Sequence, residues 1–178
     1  NTVIVFAADH GLALGSHGLM GKQNLYDHSM KAPLVFAGPG VVAGKSDALV
    51  YLHDICPTLC ELAGAPPPER LDGQSLAPLL RGEQAPTRPT LFLAYRDLQR
   101  AVRDRRFKLI RYPQVDVTQL FDLENDPQET RNLAGEPAYG DQVLQLRRAL
   151  RSWQESLGDN TPWRAENRRS PTWTPPSS

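Results

Sequence analysis

Every residue from Thr2 to Ala8 is apolar or β-branched (Thr2-Val3-Ile4-Val5-Phe6-Ala7-Ala8), and the run stops at Asp9-His10-Gly11. No other feature constrains the fold so tightly. A strand that is apolar at successive positions offers no face to water, which predicts burial on both sides within a parallel sheet. Ligands of such sheets bind beyond the carboxyl ends of the strands, where Asp9 and His10 stand. Lys22 follows in the glycine-rich stretch Gly15-Ser16-His17-Gly18-Leu19-Met20-Gly21-Lys22. A hard carboxylate oxygen, an imidazole and an ammonium near one strand mouth read as a cation site beside a bound anion. Two ligands are too few for such a site, and no activated nucleophile accompanies them.

A second apolar run, Pro33-Leu34-Val35-Phe36-Ala37, ends at the turn signal Gly38-Pro39-Gly40. The long polar and glycine-rich connection between the two runs predicts a functional loop. Leu52, Ile55, Leu59 and Leu62 recur at helical spacing, with Asp54 placed to cap and Gly64 to stop. Cys56 and Cys60 share a face of that helix and, having no partner His or Cys nearby, are expected to be buried and reduced. A short helical piece is expected at 75–80, after the rigid break Ala65-Pro66-Pro67-Pro68.

From Thr90 the pattern changes. Residues 90–95, 100–102, 107–112 and 119–123 read as short strands separated by charged turns, hence a small antiparallel sheet. Val143, Leu146, Leu150, Trp153 and Leu157 form one stripe on a final helix that Gly158 ends. The expected division is an α/β core portion at 1–89, a sheet-and-helix subdomain at 90–158 and a flexible tail at 159–178.

Twenty basic residues balance twenty acidic ones, so no general attraction to nucleic acid or anionic membrane is implied. No stretch approaches the roughly 20 apolar residues of a membrane span. The chain opens on Asn1-Thr2, directly on a buried-type strand and without an initiator Met. It is expected to be the C-terminal portion of a longer protein, in which case its lack of a targeting signal says nothing of compartment.

Five blocks, in order, carry a family resemblance. They are Phe6-Ala7-Ala8-Asp9-His10-Gly11 with Gly18-Leu19-Met20-Gly21-Lys22, then Tyr26-Asp27-His28-Ser29-Met30-Lys31-Ala32-Pro33-Leu34. His53-Asp54-Ile55-Cys56-Pro57-Thr58-Leu59, Arg106-Phe107-Lys108-Leu109-Ile110-Arg111-Tyr112 and Leu120-Phe121-Asp122-Leu123-Glu124-Asn125-Asp126-Pro127-Gln128-Glu129 complete the set. Together they resemble the C-terminal half of a type I sulfatase of the alkaline-phosphatase-like superfamily. The resemblance implies an α/β fold: part of a parallel-sheet core plus a small antiparallel-sheet and helix subdomain. It makes Asp9 and His10 ligands of Ca²⁺, or of Mg²⁺ or Mn²⁺, with His at the second position as in the iduronate-2-sulfatase-like branch. It makes Lys22 a sulfate contact.

His17 and His28 either line the pocket or pack the loop, and His53 is structural or at a substrate rim. Arg96 and Arg100 either reach substrate or are solvated, the second being the expectation. The family's formylglycine nucleophile arises in a Cys/Ser-x-Pro/Ala-x-Arg motif, and this sequence has none, so the polypeptide alone is expected to be inert. The implied substrate is a sulfate ester, including those of sulfated glycans, and the implied location periplasmic or secreted. The rival readings are a phosphonate or phosphate monoester hydrolase of the same fold, and a non-catalytic module that binds sulfated glycan.

Overall fold

A computed structural model of the chain describes residues 1–83 and 88–171. In chain order the elements are β1 (Ile4–Ala7), β2 (Ala13–Leu14), β3 (Met20–Gly21), α1 (Asp27–Met30), β4 (Leu34–Ala37), α2 (Ile55–Ala63) and α3 (Ala77–Leu80). There follow β5 (Leu91–Tyr95), β6 (Gln99–Arg103), β7 (Phe107–Tyr112), β8 (Val117–Asp122) and α4 (Gly140–Leu157). The chain forms two compact units, Asn1–Gly11 with Lys31–Pro89, and Leu12–Met30 with Thr90 onward. The glycine-rich loop, expected within the first domain, thus makes its contacts in the second unit.

In the first unit β1 pairs with β4 antiparallel, Ile4 opposite Ala37 and Phe6 opposite Val35. The apolar run predicts parallel neighbours; the observed direction differs, because an uninterrupted apolar strand specifies burial and not strand polarity. Burial is itself one-sided. Val5, Leu34 and Phe36 are half-buried, while Ile4 and Phe6 are each 63% exposed and Val35 53%.

Helix α2 ends at Gly64, whose φ of 66° is the left-handed conformation that suits glycine. Its inward face departs from the expected Leu52, Ile55, Leu59, Leu62 stripe: Pro57 and Thr58 are buried, whereas Leu52 and Leu59 are exposed. Hydrogen bonds set this rotation. Thr58 Oγ1 donates to Asp54 O at 2.6 Å and accepts from Leu76 N at 2.8 Å. The cysteines follow the rotation and are free, Cys56 exposed and Cys60 partly so, not buried as expected.

Asp54, fully buried, stands at the N-cap position of α2 as expected, but its side chain makes no capping bond and serves as a hub for this unit. Its carboxylate accepts from Tyr51 N (2.7 Å), Gln74 N (2.8 Å) and both terminal nitrogens of Arg88 (2.7 Å each). Burial alone would push this carboxyl up. The bonds from Arg88, Gln74 and Tyr51 outweigh it and hold the group below the usual carboxylate range.

In the second unit β5-β6-β7-β8 form one antiparallel sheet in sequence order. The alternation of side chains sends Val102, Leu109 and Leu120 to one face, against Leu146 and Leu150 of α4. Ala101, Ile110 and Phe121 go to the other, against Leu25 and Tyr26 from the glycine-rich loop. β7 is therefore buried on both faces. Gly158, at φ 66°, ends α4 as expected. The segment expected to be loose from 159 is tied down in its described part: Asp159 meets Arg100, Trp163 O accepts from Arg111 Nε at 2.7 Å, and Ala165 N donates to Pro113 O at 3.1 Å. The rest of that tail, 172–178, lies outside the described residues.

Candidate metal and anion-binding site

Strand β1 delivers Asp9 and His10 just past its carboxyl end, where Ala8 N still donates to Pro33 O. Asp9 projects into solvent with 83% of its side chain exposed; His10 is partly buried. His10 Nδ1 lies 2.7 Å from Gly11 O. A carbonyl only accepts, so Nδ1 carries the proton and donates. Nε2 faces Asp9 Oδ2, 3.2 Å away.

A carboxylate oxygen and an imidazole nitrogen are donor types that suit a divalent cation. Their number does not suffice: Ca²⁺ takes about 6–8 oxygen ligands, and among the described residues no group of three or more His, Cys, Asp or Glu side chains is gathered for a metal.

Lys22 and His17 belong to the second unit. β2 and β3 pair as a minimal hairpin, Ala13 opposite Gly21 and Leu14 opposite Met20, so the connection expected as a loop is folded. Gly21, at φ 103°, turns the chain out of β3 and leads into exposed Lys22. His17, itself left-handed at φ 56°, donates from Nε2 to Gln128 O at 3.0 Å. Its ring stacks on Tyr26, centroids 4.0 Å apart and nearly parallel at 7°. These contacts pack the His17 ring within the loop. His28 lies 5.5 Å from His17, and burial, then the charges of His17 and Lys108, holds its imidazole below the usual range. His53 is exposed and stacks on Tyr51 at 4.7 Å.

Arg100 is not the solvated arginine expected. It is 8% exposed and holds Asp159 through Nε at 2.6 Å and Gln99 O through Nη1 at 2.8 Å, with Arg96 O and Thr161 Oγ1 as further acceptors. These contacts occupy the guanidinium inside the fold.

Sequence reasoning missed a fully enclosed charge. Lys108 of β7 is 0% exposed and reaches Leu25 O (3.1 Å), the Asp27 carboxylate and Glu129 Oε1, the last as an ion pair at 2.7 Å. Arg103 adds two contacts to Asp27, at 3.0 and 3.2 Å. Glu129 is 2% exposed; burial raises its carboxyl above the usual range despite Lys108. The available signal was a lysine set among Phe107, Leu109 and Ile110 in a strand apolar on both faces.

Comparison with known proteins gives these elements a lineage. Residues 15–156 match the family described as N-sulphoglucosamine sulphohydrolase, C-terminal. A Δ4,5-hexuronate-2-O-sulfatase of Bacteroides thetaiotaomicron is 37% identical over 163 residues, covering 84% of this chain and 34% of its own length. Among solved structures, a 2-O GAG sulfatase superposes with TM-score 0.79 at 33% identity, covering 89% of this chain and 37% of that one. A phosphonate monoester hydrolase of Agrobacterium radiobacter superposes with TM-score 0.72 at 29% identity, covering 86% and 35%. The chain thus spans about a third of the length of the relatives it matches. By these matches the chain belongs to the sulfatases of the alkaline-phosphatase-like superfamily and corresponds to their C-terminal region.

Proposed function

We propose that this chain supplies two metal ligands, Asp9 and His10, and one anion contact, Lys22, to a protein that hydrolyses sulfate esters, with sulfated glycans as the substrate class. The observation that carries the reading is the His10 geometry: Nδ1 is committed to Gly11 O, and Nε2 is turned toward Asp9 at 3.2 Å. The similarity to 2-O-sulfatases supports the substrate class. His at position 10 supports kinship with the iduronate-2-sulfatase-like branch. When bound, Ca²⁺ (alternatively Mg²⁺ or Mn²⁺) and a formylglycine hydrate from outside residues 1–178 supply an activated nucleophile and a charge for the sulfate oxygens.

Within that scheme each residue has one task. Asp9 contributes a hard anionic oxygen. His10 contributes Nε2 in a tautomer fixed by its backbone bond. Lys22 sets an ammonium against the charge that grows on the transferring group and leaving oxygen, an effect worth about 10²–10³ in rate for a single lost donor. A division into a core portion at 1–89 and a subdomain at 90–158, with the loop at 12–30 running from the first stretch of sequence into the second unit, belongs to this proposal, as does a periplasmic or secreted location. No helix among the described residues is long and apolar enough to cross a membrane.

The test is turnover of an aryl sulfate and of a sulfated disaccharide by the full-length protein. Lys22→Ala is expected to lower kcat by about 10²–10³-fold, and Asp9→Ala to lower metal content as read by elemental analysis. Aryl sulfate left intact while a phosphonate monoester is cleaved would move the assignment to the second reading, which the likeness to a phosphonate monoester hydrolase favours. Binding of sulfated glycan with no turnover of either ester would indicate the non-catalytic module.

A further inference from the structure

We propose that the turn at 126–129, together with Lys108, positions the loop that presents Lys22, so that Glu129 and Lys108 act on the anion site without touching it. The inference rests on the reading of Lys22 given above.

The turn grips the loop at two points. Gln128 O takes the Nε2 proton of His17, five positions before Lys22, at 3.0 Å. Glu129 Oε2 takes the backbone proton of Asp27, five positions after it, at 2.5 Å. Adjacent residues of one turn thus fix both flanks of the segment whose midpoint is Lys22. Between the flanks, Tyr26 carries the stacked His17 ring and donates its hydroxyl to Gln119 Oε1 of β8 at 2.9 Å.

Lys108 ties the second grip to the sheet. Its buried ammonium faces Leu25 O, the Asp27 carboxylate and Glu129 Oε1, and Arg103 supplies the second positive charge that balances the two carboxylates. Removing one partner of such a buried pair leaves the other charge uncompensated, so each member holds the others in place. Glu129 reaches this position from a left-handed backbone, φ 57°, a conformation an ordinary residue keeps only when its surroundings impose it. Two of the blocks singled out in the sequence, Arg106-Phe107-Lys108 and Asp126-Pro127-Gln128-Glu129, have no place in the chemistry proposed for Asp9, His10 and Lys22. Their meeting at Lys108 and Glu129 gives them one.

The experiment is a double-mutant cycle on the full-length protein, with Glu129→Gln, which keeps side-chain size, and Lys22→Ala. Glu129→Gln is expected to lower kcat about 10–100-fold, the scale of a displacement near 1 Å at a reacting group, with Glu129→Asp recovering part of the loss. In the Lys22→Ala background Glu129→Gln is expected to cost nothing further. Losses that multiply would show that Glu129 does not act through Lys22 and would overturn the proposal.

Amide hydrogen exchange provides a reading independent of turnover. Glu129→Gln is expected to accelerate exchange in residues 12–30 while α4 keeps its protection. Unchanged exchange in 12–30 would overturn the positioning role whatever the enzyme hydrolyses. A wild-type protein inert toward sulfate esters, with that loop still responding, would instead remove only the reading of Lys22. Should Glu129→Gln fail to fold, Asp27→Asn tests from the loop side the Lys108 contact that ties this grip to the sheet, with the same outcomes.

Discussion

Asp122, at the end of β8, is a hub made by its neighbours. It is 3% exposed and accepts from Arg106 Nη2 at 2.7 Å, Asn125 Nδ2 at 2.9 Å and Glu124 N at 3.2 Å. The Arg106 bond, aided by Asn125 and opposed by burial, draws the carboxyl down to about 2. A folded-state value below the unfolded one means stability that is present above about pH 4 and lost as pH falls toward about 2. Arg106 is half-exposed, so solvent reduces the full effect to about 1 kcal/mol. Urea midpoints measured from pH 5 to pH 2 are expected to fall more steeply for the wild type than for Asp122→Asn. Equal slopes would remove Asp122 from the acid sensitivity of the fold. At this scale Asp9, His10 and Lys22 draw notice in the sequence because each stands at a strand end or beside glycine, and their roles are those of the proposal above. Lys108 was hidden because a lysine in a strand reads as solvated until the partner that neutralises it, Glu129, is known to lie against it.

Elements were legible in proportion to how far their own residues decide them. β7 was placed at 107–112, as observed, because its aromatic and branched residues suit a pleated, buried surface. α4 followed from one stripe and one terminal glycine. Leu150 of that stripe, 1% exposed against Val102, Leu109 and Leu120, is expected on truncation to Ala to cost about 2–5 kcal/mol. Guanidinium unfolding checks this, and a loss below about 1 kcal/mol would mean that α4 adds little to the sheet. α2 was misread on its face, though not its extent, because a polar pair, Asp54 and Thr58, turns it and no hydrophobic period reports such a pair. The direction of β1 was misread for a related reason: strand polarity belongs to the pairing and not to either strand.

For the whole chain, the β1–β4 sheet is the exposed liability. Two strands alone are marginal in water, and here Phe6 and Val35, cross-strand neighbours on one face, are 63% and 53% exposed with Ile4 beside them. Residues 1–178 expressed by themselves are expected to self-associate as concentration rises. Phe6→Thr with Val35→Thr is expected to reduce that association in sedimentation velocity. A wild-type chain that stays monomeric at high concentration would contradict this. The fold class was legible because the family resemblance and the strand grammar agreed. The assignment of the glycine-rich loop to the second unit was not, because it depends on Leu25 and Tyr26 meeting residues some eighty to a hundred positions later.

That interleaving also bears on inheritance. The chain enters the second unit at Leu12, leaves it at Met30 and re-enters at Thr90, so the unit has no contiguous gene segment. A crossover anywhere between codons 30 and 90 would join a loop from one parent to a sheet from another, parting Leu25 and Tyr26 from Ile110 and Phe121, and Asp27 from Lys108. Chimaeras between relatives should therefore survive only where both sides of that double seam come from the same parent.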